Sequence, residues 1–333
     1  MPQRRTTLAD VAATAGVSKA AVSRVINDAP GVSARTRDHV REVIARLGYR
    51  PDPVARALAS GHGDLVELVV IDDPSRYSTN PYYGRVTAGI LQELAGGNAH
   101  LRVHVIDEAG APALLARIAD TVSLGIVTID IAPALAAEID ARCHKVVSLT
   151  PSAPGVPFVG TENEHGAYAA VRHLHDTGRR HVAAVHGPEG NPCADARREG
   201  HRRAVQDLGL PDRFARGKFC RSAGYAATER LLAEEPGLDG LFVACDLMAA
   251  GAAQALAAAG RRVPGDVALV GYDDSLIAAC ATPPMSSVRQ PVEQMAAAAT
   301  RALVDGQLAP HWRRVFPAEL HVRESSGAPS IPS

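Results

Sequence analysis

Residues 7–27 read TLADVAATAGVSKAAVSRVIN, and this spacing predicts two short helices joined by a tight turn. Thr7 can cap the first helix, and Asp10, three residues later, can cap it reciprocally. Gly16 suits the turn because a residue without a Cβ adopts positive φ at little cost. Ser18 can then cap the second helix. Because the apolar positions of each helix share one face, the stretch is typical of a helix-turn-helix DNA reader.

Two following segments extend this pattern. Residues 33–48, SARTRDHVREVIARLG, predict a third amphipathic helix capped by Ser33. Three such helices would form a compact DNA-binding headpiece over residues 1–50, which makes a plain helical hairpin packed on another element the weaker interpretation. Residues 51–63 are predicted to be a hinge or linker, since the helical stretch after Pro53 is too short to be stable alone.

The distribution of charge separates the two ends of the chain. The 333 residues carry a formal net charge of −1, but residues 1–60 hold ten Lys and Arg against five Asp and Glu, which leaves the remainder at −6. A basic N-terminal segment on an acidic body indicates a nucleic-acid-binding arm attached to a soluble domain. No apolar run of the signal-peptide or membrane-spanning type is present, so we expect a cytoplasmic, nucleoid-associated protein without a membrane partner.

The body, residues 64–330, alternates short apolar runs with helical segments, which predicts parallel α/β sheets in two lobes. Ligands of such lobes bind beyond the carboxyl ends of the strands. There the sequence places carboxylates, aromatic residues and an arginine, as in DDPSRYSTNPYYG and PEGNPCADARREG. Carboxylates and a guanidinium hydrogen-bond hydroxyl groups, and aromatic rings stack on the apolar face of a sugar, so this composition favours a small polyhydroxylated ligand.

The run from Thr7 to Gly61 resembles the headpiece and hinge of the lactose-repressor (LacI/GalR) family of bacterial transcription regulators. The strings that carry the resemblance are LADVAATAGVSKAAVSRVIN, VSARTRDHVREVIARLGYRPDPVARALASG and, in the body, VGYDD and TPPMSSVRQP. The resemblance implies a helical headpiece followed by a two-lobed domain like the periplasmic binding proteins. It places the first lobe at about 64–160 plus 291–310 and the second at about 161–290 plus 311–327.

The resemblance also implies an effector site between the lobes. The positions that match it are Tyr82, Tyr83, Glu162, Asn191, Cys193, Arg197, Phe219, Cys245, Asp246 and Asp273. Glu162 stands where an aspartate is more usual, and Cys245 precedes Asp246 where Asn-Asp is common. Asn191 and Cys193 replace the arginine and threonine with which purine-binding members read a base, which argues against a purine effector. The most compatible effector is a sugar.

A homodimeric repressor would use the headpiece to read a pseudopalindromic operator. Base contacts are expected from Lys19, Ala20 and Arg24, with Arg24 directed at guanine. The other residues expected at the DNA are Thr7, Ser18, Ser23, Asn27, Ser33, Thr36 and Leu58. Of these, the helix-capping hydroxyls suit phosphates, and the resemblance implies that Leu58 wedges into the minor groove.

The sequence indicates no enzyme. It contains no nucleophile elbow, no phosphate-binding loop and no dinucleotide fingerprint, and we expect no catalytic residue, cofactor or metal site. The five cysteines are scattered and odd in number, as in a protein with reduced thiols. The open alternatives are a cytosolic sugar-binding protein that does not bind DNA and a regulator that senses a ligand other than a sugar.

Overall fold

The structure, a computed structural model, describes residues 7–26, 30–47, 49, 65–119, 123–129, 131–143, 145–309 and 311–327. The chain divides into two compact units, residues 1–63 and 64–333. Asn27, Leu58 and the predicted linker 51–63 lie outside the described residues. Within the described part, no helix is both long enough and apolar enough to cross a membrane.

The described residues of the first unit form α1 (Leu8–Ala15), α2 (Lys19–Ile26) and α3 (Ala34–Leu47). Their inward-facing side chains form one small apolar core. Val11, Val22 and Val40, one from each helix, are fully buried there. Because the three helices bury a shared face, the compact headpiece predicted from their apolar periodicity is confirmed.

The second unit begins with a first lobe, and its chain then passes into a second lobe. The first lobe contains β1 (Leu65–Ile71), α4 (Pro74–Tyr77), α5 (Pro81–Leu94), β2 (His100–Ile106), α6 (Ala111–Ala119), β3 (Gly125–Ile129), α7 (Pro133–Cys143), β4 (Val146–Ser148) and β5 (Phe158–Thr161). The second lobe contains α8 (Asn163–Asp176), β6 (Val182–His186), α9 (Pro192–Asp207), β7 (Phe214–Arg216), α10 (Arg221–Glu234), β8 (Gly240–Val243), α11 (Asp246–Ala258), β9 (Ala268–Asp273), α12 (Leu276–Cys280) and β10 (Ser286–Arg289).

The chain then returns to the first lobe and crosses once more. The last elements are α13 (Val292–Val304), β11 (Arg313–Phe316) and β12 (Glu319–His321). The first sheet has the strand order β11-β5-β4-β3-β1-β2 with parallel pairs throughout, and the second has the order β12-β10-β9-β8-β6-β7, parallel except for β12. Central strands such as β3 and β6 are buried along their whole length, as helices on both faces require.

The two-lobed α/β architecture agrees with the expectation from the alternating pattern, but one boundary differs. Residues 311–327 were all expected in the second lobe. Instead β11 pairs in parallel with β5 in the first sheet, and only β12 joins the second sheet, antiparallel to β10. The sheet that a strand joins depends on partners far away in the chain. The short sequence of β11 therefore does not indicate that it pairs with β5.

Candidate DNA-reading face and ligand cleft

The second headpiece helix, α2, divides cleanly into a buried face and an exposed face. Val22 and Val25 are buried in the headpiece core. Lys19, Ala20 and Arg24 are exposed, while the predicted contact Ser23 is half-buried on the same helix. A helix that buries its apolar side and exposes polar side chains near its N-terminus is what entry into a major groove requires.

The helix starts of the headpiece are capped as predicted. The Thr7 hydroxyl accepts from the Asp10 amide at 3.3 Å, and the Asp10 carboxylate accepts from the Thr7 amide at 2.8 Å. Ser18 Oγ accepts from the Ala21 amide at 3.1 Å. Gly16 has φ +65°, the left-handed conformation that the turn needs.

The third helix begins in the same way. Ser33 Oγ accepts from the Thr36 amide at 3.2 Å and shares a hydrogen bond with the Thr36 hydroxyl at 2.8 Å. Both Thr7 and Ser33 are exposed, and Thr36 is half-buried. Each predicted phosphate contact therefore belongs to a helix N-terminus, where the positive end of the helix dipole favours an anion.

In the body, the lobes enclose a small cavity of about 40 Å³, here called the inner cavity. Its lining residues are Asn80, Tyr82, Cys193, Arg197, Phe219, Cys245, Asp273 and Gln290. Two of them, Asn80 and Tyr82, come from the start of α5 in the first lobe. The others come from the second lobe and from the crossover that follows β10, so the cavity lies between the lobes.

Arg197 of α9 is the central cation of the inner cavity. It is only 4% exposed, and its guanidinium donates to Asn163 Oδ1 at 2.8 Å and to the Ala244 carbonyl at 2.6 Å. Asp273 Oδ1 lies 3.7 Å from Nη1, and the Tyr272 ring lies under the guanidinium at 3.8 Å. Burial opposes the charge, but the neighbouring Tyr272 and Asp273 raise the pKa of Arg197 above its ordinary value. The cation is thus oriented before any ligand binds.

Asp273 supplies the carboxylate of the inner cavity from the end of β9. Its φ is +107° and that of Asp274 is +47°, conformations that cost a non-glycine residue about 1–3 kcal/mol. Gln290 Nε2 donates to Asp273 Oδ1 at 2.5 Å, and Ser287 Oγ accepts from the Asp274 amide at 3.0 Å. Backbone strain that the surroundings hold in place is a frequent feature of ligand-binding sites.

Asp246 was expected to contact the effector, and the structure gives it a different position. It is 1% exposed and does not line the inner cavity. Its carboxylate accepts from the Ser275 amide at 2.7 Å and from the Ser287 hydroxyl at 2.6 Å. Burial and the nearby Asp273 raise the pKa of Asp246 to about 7. Asp246 therefore supports the strained turn after β9 from behind.

Glu162 was also expected at the effector and does not line the inner cavity. Its side chain is exposed at the start of α8 and makes no capping hydrogen bond. The next residue, Asn163, is 6% exposed and holds Arg197 in place. Consecutive residues at a helix start point in different directions. The prediction was therefore wrong by one position: Glu162 faces solvent, and Asn163 faces Arg197.

Tyr83 and Asn191 line a larger space beside the inner cavity, here called the outer chamber, of about 690 Å³. Its lining residues are Ile71, Asp72, Asp73, Pro74, Arg76, Tyr83, Asp107, Ala109, Pro188, Asn191, Lys218 and Phe219. The Tyr83 hydroxyl donates to Asp72 Oδ2 at 2.8 Å, and the Tyr77 ring stacks on Tyr83 with centroids 5.6 Å apart. Phe219 lines both spaces, which makes them neighbours.

Asn80 and Gln290 are lining residues that the sequence analysis missed. Asn80 had a local signal, because Asn followed by proline marks a helix start, and its Oδ1 indeed accepts from the Tyr82 amide at 3.1 Å. Asn191 and Pro192 repeat the same arrangement at the start of α9. Gln290 carried no local signal, since only the crossover between the lobes brings it beside Asp273.

Cys193 and Cys245, two of the expected effector contacts, line the inner cavity, and neither forms a disulfide. Burial raises the pKa of the Cys245 thiol, which keeps it protonated and unreactive at neutral pH. Its sulfur accepts from the Met248 amide at 3.4 Å at the start of α11. Among the described residues no three His, Cys, Asp or Glu side chains are grouped to hold a metal ion. Both cysteines form part of the wall of the inner cavity.

Comparison with known proteins adds independent findings. Residues 7–52 match the family model described as bacterial regulatory proteins, lacI family, and residues 171–326 match a periplasmic binding protein-like domain. The HTH-type transcriptional regulator CelR of Thermobifida fusca is 36% identical to this chain, over 97% of this chain and 99% of that protein. Catabolite control protein A of Priestia megaterium is 31% identical, over 89% and 91%.

Solved structures agree with these relatives. A complex titled transcriptional regulator CelR-cellobiose is similar with a TM-score of 0.74 at 33% identity, covering 96% of this chain and all of the other. The Lac repressor dimer bound to operator and the anti-inducer ONPF has a TM-score of 0.81 at 26% identity, covering 98% and 100%. The expected fold, a helical headpiece and a two-lobed α/β domain, is confirmed. The chain therefore belongs to the lacI family of bacterial regulatory proteins.

Proposed function

We propose that this protein is a homodimeric repressor whose headpieces bind a pseudopalindromic operator and whose operator affinity changes when a sugar binds between the lobes. The family consists of DNA-binding transcription regulators and not of enzymes, so the protein is a transcription regulator. The observation that carries the proposal is the pairing, in one chain, of a capped helix-turn-helix with a cavity built around a buried Arg197.

On DNA, α2 is the reading helix. Arg24 and Lys19 can each donate to guanine O6 and N7, and Ala20 can contact a thymine methyl group. The remaining contacts are proposed for Ser23 and Asn27 at the groove, for Thr7, Ser18, Ser33 and Thr36 at phosphates, and for Leu58 as a wedge in the minor groove. Two headpieces acting as a dimer would read two half-sites. The Lac repressor, whose structure is similar to this one, binds its operator as a dimer.

The effector is proposed to be a sugar of at least two rings. An inner cavity of about 40 Å³ is far below the roughly 300–1,000 Å³ of typical ligand sites, so it can hold only the end of a ligand. The outer chamber of about 690 Å³ leaves room for the rest. Arg197 and Asp273 would bind hydroxyl groups at the inner end, while Phe219 and Tyr82 offer apolar surface to a ring. The relative with a solved cellobiose complex supports a disaccharide.

The switch is proposed to be a change in the angle between the lobes. A ligand that contacts Tyr82 from the first lobe and Arg197 from the second binds best at one lobe angle, and it therefore shifts the equilibrium toward that angle. In a dimer, the lobe angle would set the spacing of the two DNA-binding arms. Because operator DNA is the partner, the protein would work in the cytoplasm at the chromosome.

The test is selection of duplexes from genomic DNA by the purified full-length protein, followed by sequencing, with and without cellobiose, maltose and lactose. The expected result is a palindromic site whose recovery changes with one sugar. Recovery of no specific duplex under any condition would contradict the repressor function and favour a sugar-binding protein. A specific site that ignores every sugar would instead favour a regulator of another ligand class, and calorimetry with the same sugars would check this.

A further inference from the structure

Arg85, in the middle of the first-lobe helix α5, contacts both lobes. Its Nε and Nη2 donate to the Glu293 carboxylate at 2.6 Å and 2.8 Å, and Glu293 belongs to α13 of the same lobe. Its Nη1 donates to the carbonyl of Asp273 at 2.7 Å, at the end of β9 in the second lobe. Nη2 also donates to the Gln290 carbonyl at 3.2 Å, on the crossover between the lobes.

The first-lobe side of this contact is rigid. Helices α5 and α13 approach so closely at Gly89 that an added Cβ would lie 2.3 Å from the Glu293 carbonyl oxygen. Glu293 accepts two parallel hydrogen bonds from Arg85, which fixes the plane of the guanidinium. Nη1 is the atom that bonds the second lobe. Its position is set by the packing of the first lobe, because Glu293 holds the rest of the guanidinium.

The second-lobe side of the contact is the backbone of the effector-binding carboxylate. Asp273 has a φ of +107°, which its surroundings must maintain. Arg85 holds its carbonyl, and Gln290, whose own carbonyl Arg85 also binds, holds its Oδ1 at 2.5 Å. A rotation of one lobe against the other would therefore pull on Asp273 directly.

We infer that Arg85 is a positioning residue that couples occupancy of Asp273 to the angle between the lobes. It contributes no contact to the lining of the inner cavity and acts through Asp273 and Gln290. This inference rests on the proposed function, since it deepens the switch described above. A sugar hydroxyl bound at Asp273 would steady the turn after β9, and Arg85 would transmit that change to α5.

The chain supplies a matched control for Arg85. Arg301 of α13 makes a similar two-bonded pair with Glu93 of α5, at 2.8 Å and 2.6 Å, between the same two helices. None of the hydrogen bonds or ion pairs recorded for Arg301 in the described part of the chain reaches the second lobe. Arg85→Met and Arg301→Met thus remove pairs of the same two-bonded geometry, of which the Arg301 pair is the more exposed. Of the two, Arg85→Met removes the bridge between the lobes.

The first arm of the test needs no ligand. Hydrogen–deuterium exchange of the full-length protein should be about tenfold faster over residues 272–276 in Arg85→Met and unchanged there in Arg301→Met. Arg85→Lys keeps the charge beside Glu293 but lacks the planar fork, so it should exchange like Arg85→Met. Equal exchange in the two methionine variants would overturn the inference, whatever the effector proves to be.

The second arm measures coupling as the ratio of operator affinity without and with saturating cellobiose. In Arg85→Met this ratio should lie about tenfold closer to one than in the wild-type protein, because the effector no longer changes operator affinity as strongly. In Arg301→Met it should stay at the wild-type value. An unchanged ratio in Arg85→Met would confine Arg85 to a structural role and overturn the inference. If the wild-type protein ignores cellobiose, maltose and lactose, the sugar part of the proposed function fails, and the exchange arm still decides whether Arg85 holds Asp273.

Discussion

Replacing Arg197 by methionine should reduce both the stability of the body and its affinity for the effector. Methionine retains much of the packing over Tyr272 but donates no hydrogen bond. Two buried acceptors, Asn163 Oδ1 at 2.8 Å and the Ala244 carbonyl at 2.6 Å, would lose their donor. Each of the two buried acceptors left without a partner costs about 1–3 kcal/mol, so we expect a loss of about 2–6 kcal/mol.

For a body of the size of residues 64–333, that loss corresponds to a fall in Tm of about 4–12 °C. The control is Arg202→Met on the same helix, which removes an exposed pair with Glu199 and should leave the stability nearly unchanged. Effector affinity of Arg197→Met should fall about 10- to 100-fold, because a hydrogen bond from a charged donor is lost.

Thermal unfolding by circular dichroism and calorimetry with the effector check this prediction, and calorimetry is run below the lowered Tm. Operator binding without effector should persist, because Arg197 lies in the body and the headpiece has its own core. A Tm for Arg197→Met equal to that of Arg202→Met would refute the reasoning, since the buried acceptors would then have found other donors.

Three further outcomes are expected. Arg24→Ala should lower operator affinity about 10- to 100-fold and relax the preference at one base pair, as selection from randomised duplexes would reveal; an unaltered preference would remove Arg24 from base reading. Burial lowers the pKa of His201 to about 4, so the unfolded chain takes up a proton that the folded chain does not, and stability is lost as pH falls from about 6.5 to about 4. His201→Gln should remove about 3 kcal/mol of that loss in urea titrations, whereas the exposed His165→Gln should not; equal profiles would contradict this. Gly89→Ala should lower Tm by several degrees by separating α5 from α13, whereas Gly84→Ala, on the same helix with open space around it, should leave Tm unchanged or raise it.

Much of the regular structure followed from local patterns. The apolar runs LVELVVI (65–71), LGIVTI (124–129) and HVAAVHG (181–187), which alternate with helical segments, coincide with β1, β3 and β6. These segments carry continuous apolar runs or amphipathic periodicity, because they are buried between layers. A residue's neighbours in sequence suffice to identify such elements.

Strands β5, β7, β10, β11 and β12 carry no such continuous apolar run. Each contains three or four residues, and most mix polar with apolar side chains. Strand β11, which reads RRVF, lies at the edge of the first sheet and is held by its parallel pairing with β5. Its structure depends on a partner about 150 residues away in the chain, and no window of local sequence contains that information.

The sequence by itself determined the headpiece and the family of this protein. The caps at Thr7 and Ser18 and the turn at Gly16 act over fewer than eight residues, so the order of residues is enough to predict them.

Only the tertiary structure decided the composition of the cleft. It left Glu162, an expected effector contact, exposed and made Asn163 the partner of Arg197. It also moved Asp246 away from the cavity lining and brought Gln290 to Asp273. These choices depend on which side of a helix start faces the other lobe and on where the chain crosses between lobes. Both follow from the packing of the two sheets. Their contacts join residues that are far apart in the chain, so local sequence patterns do not predict them.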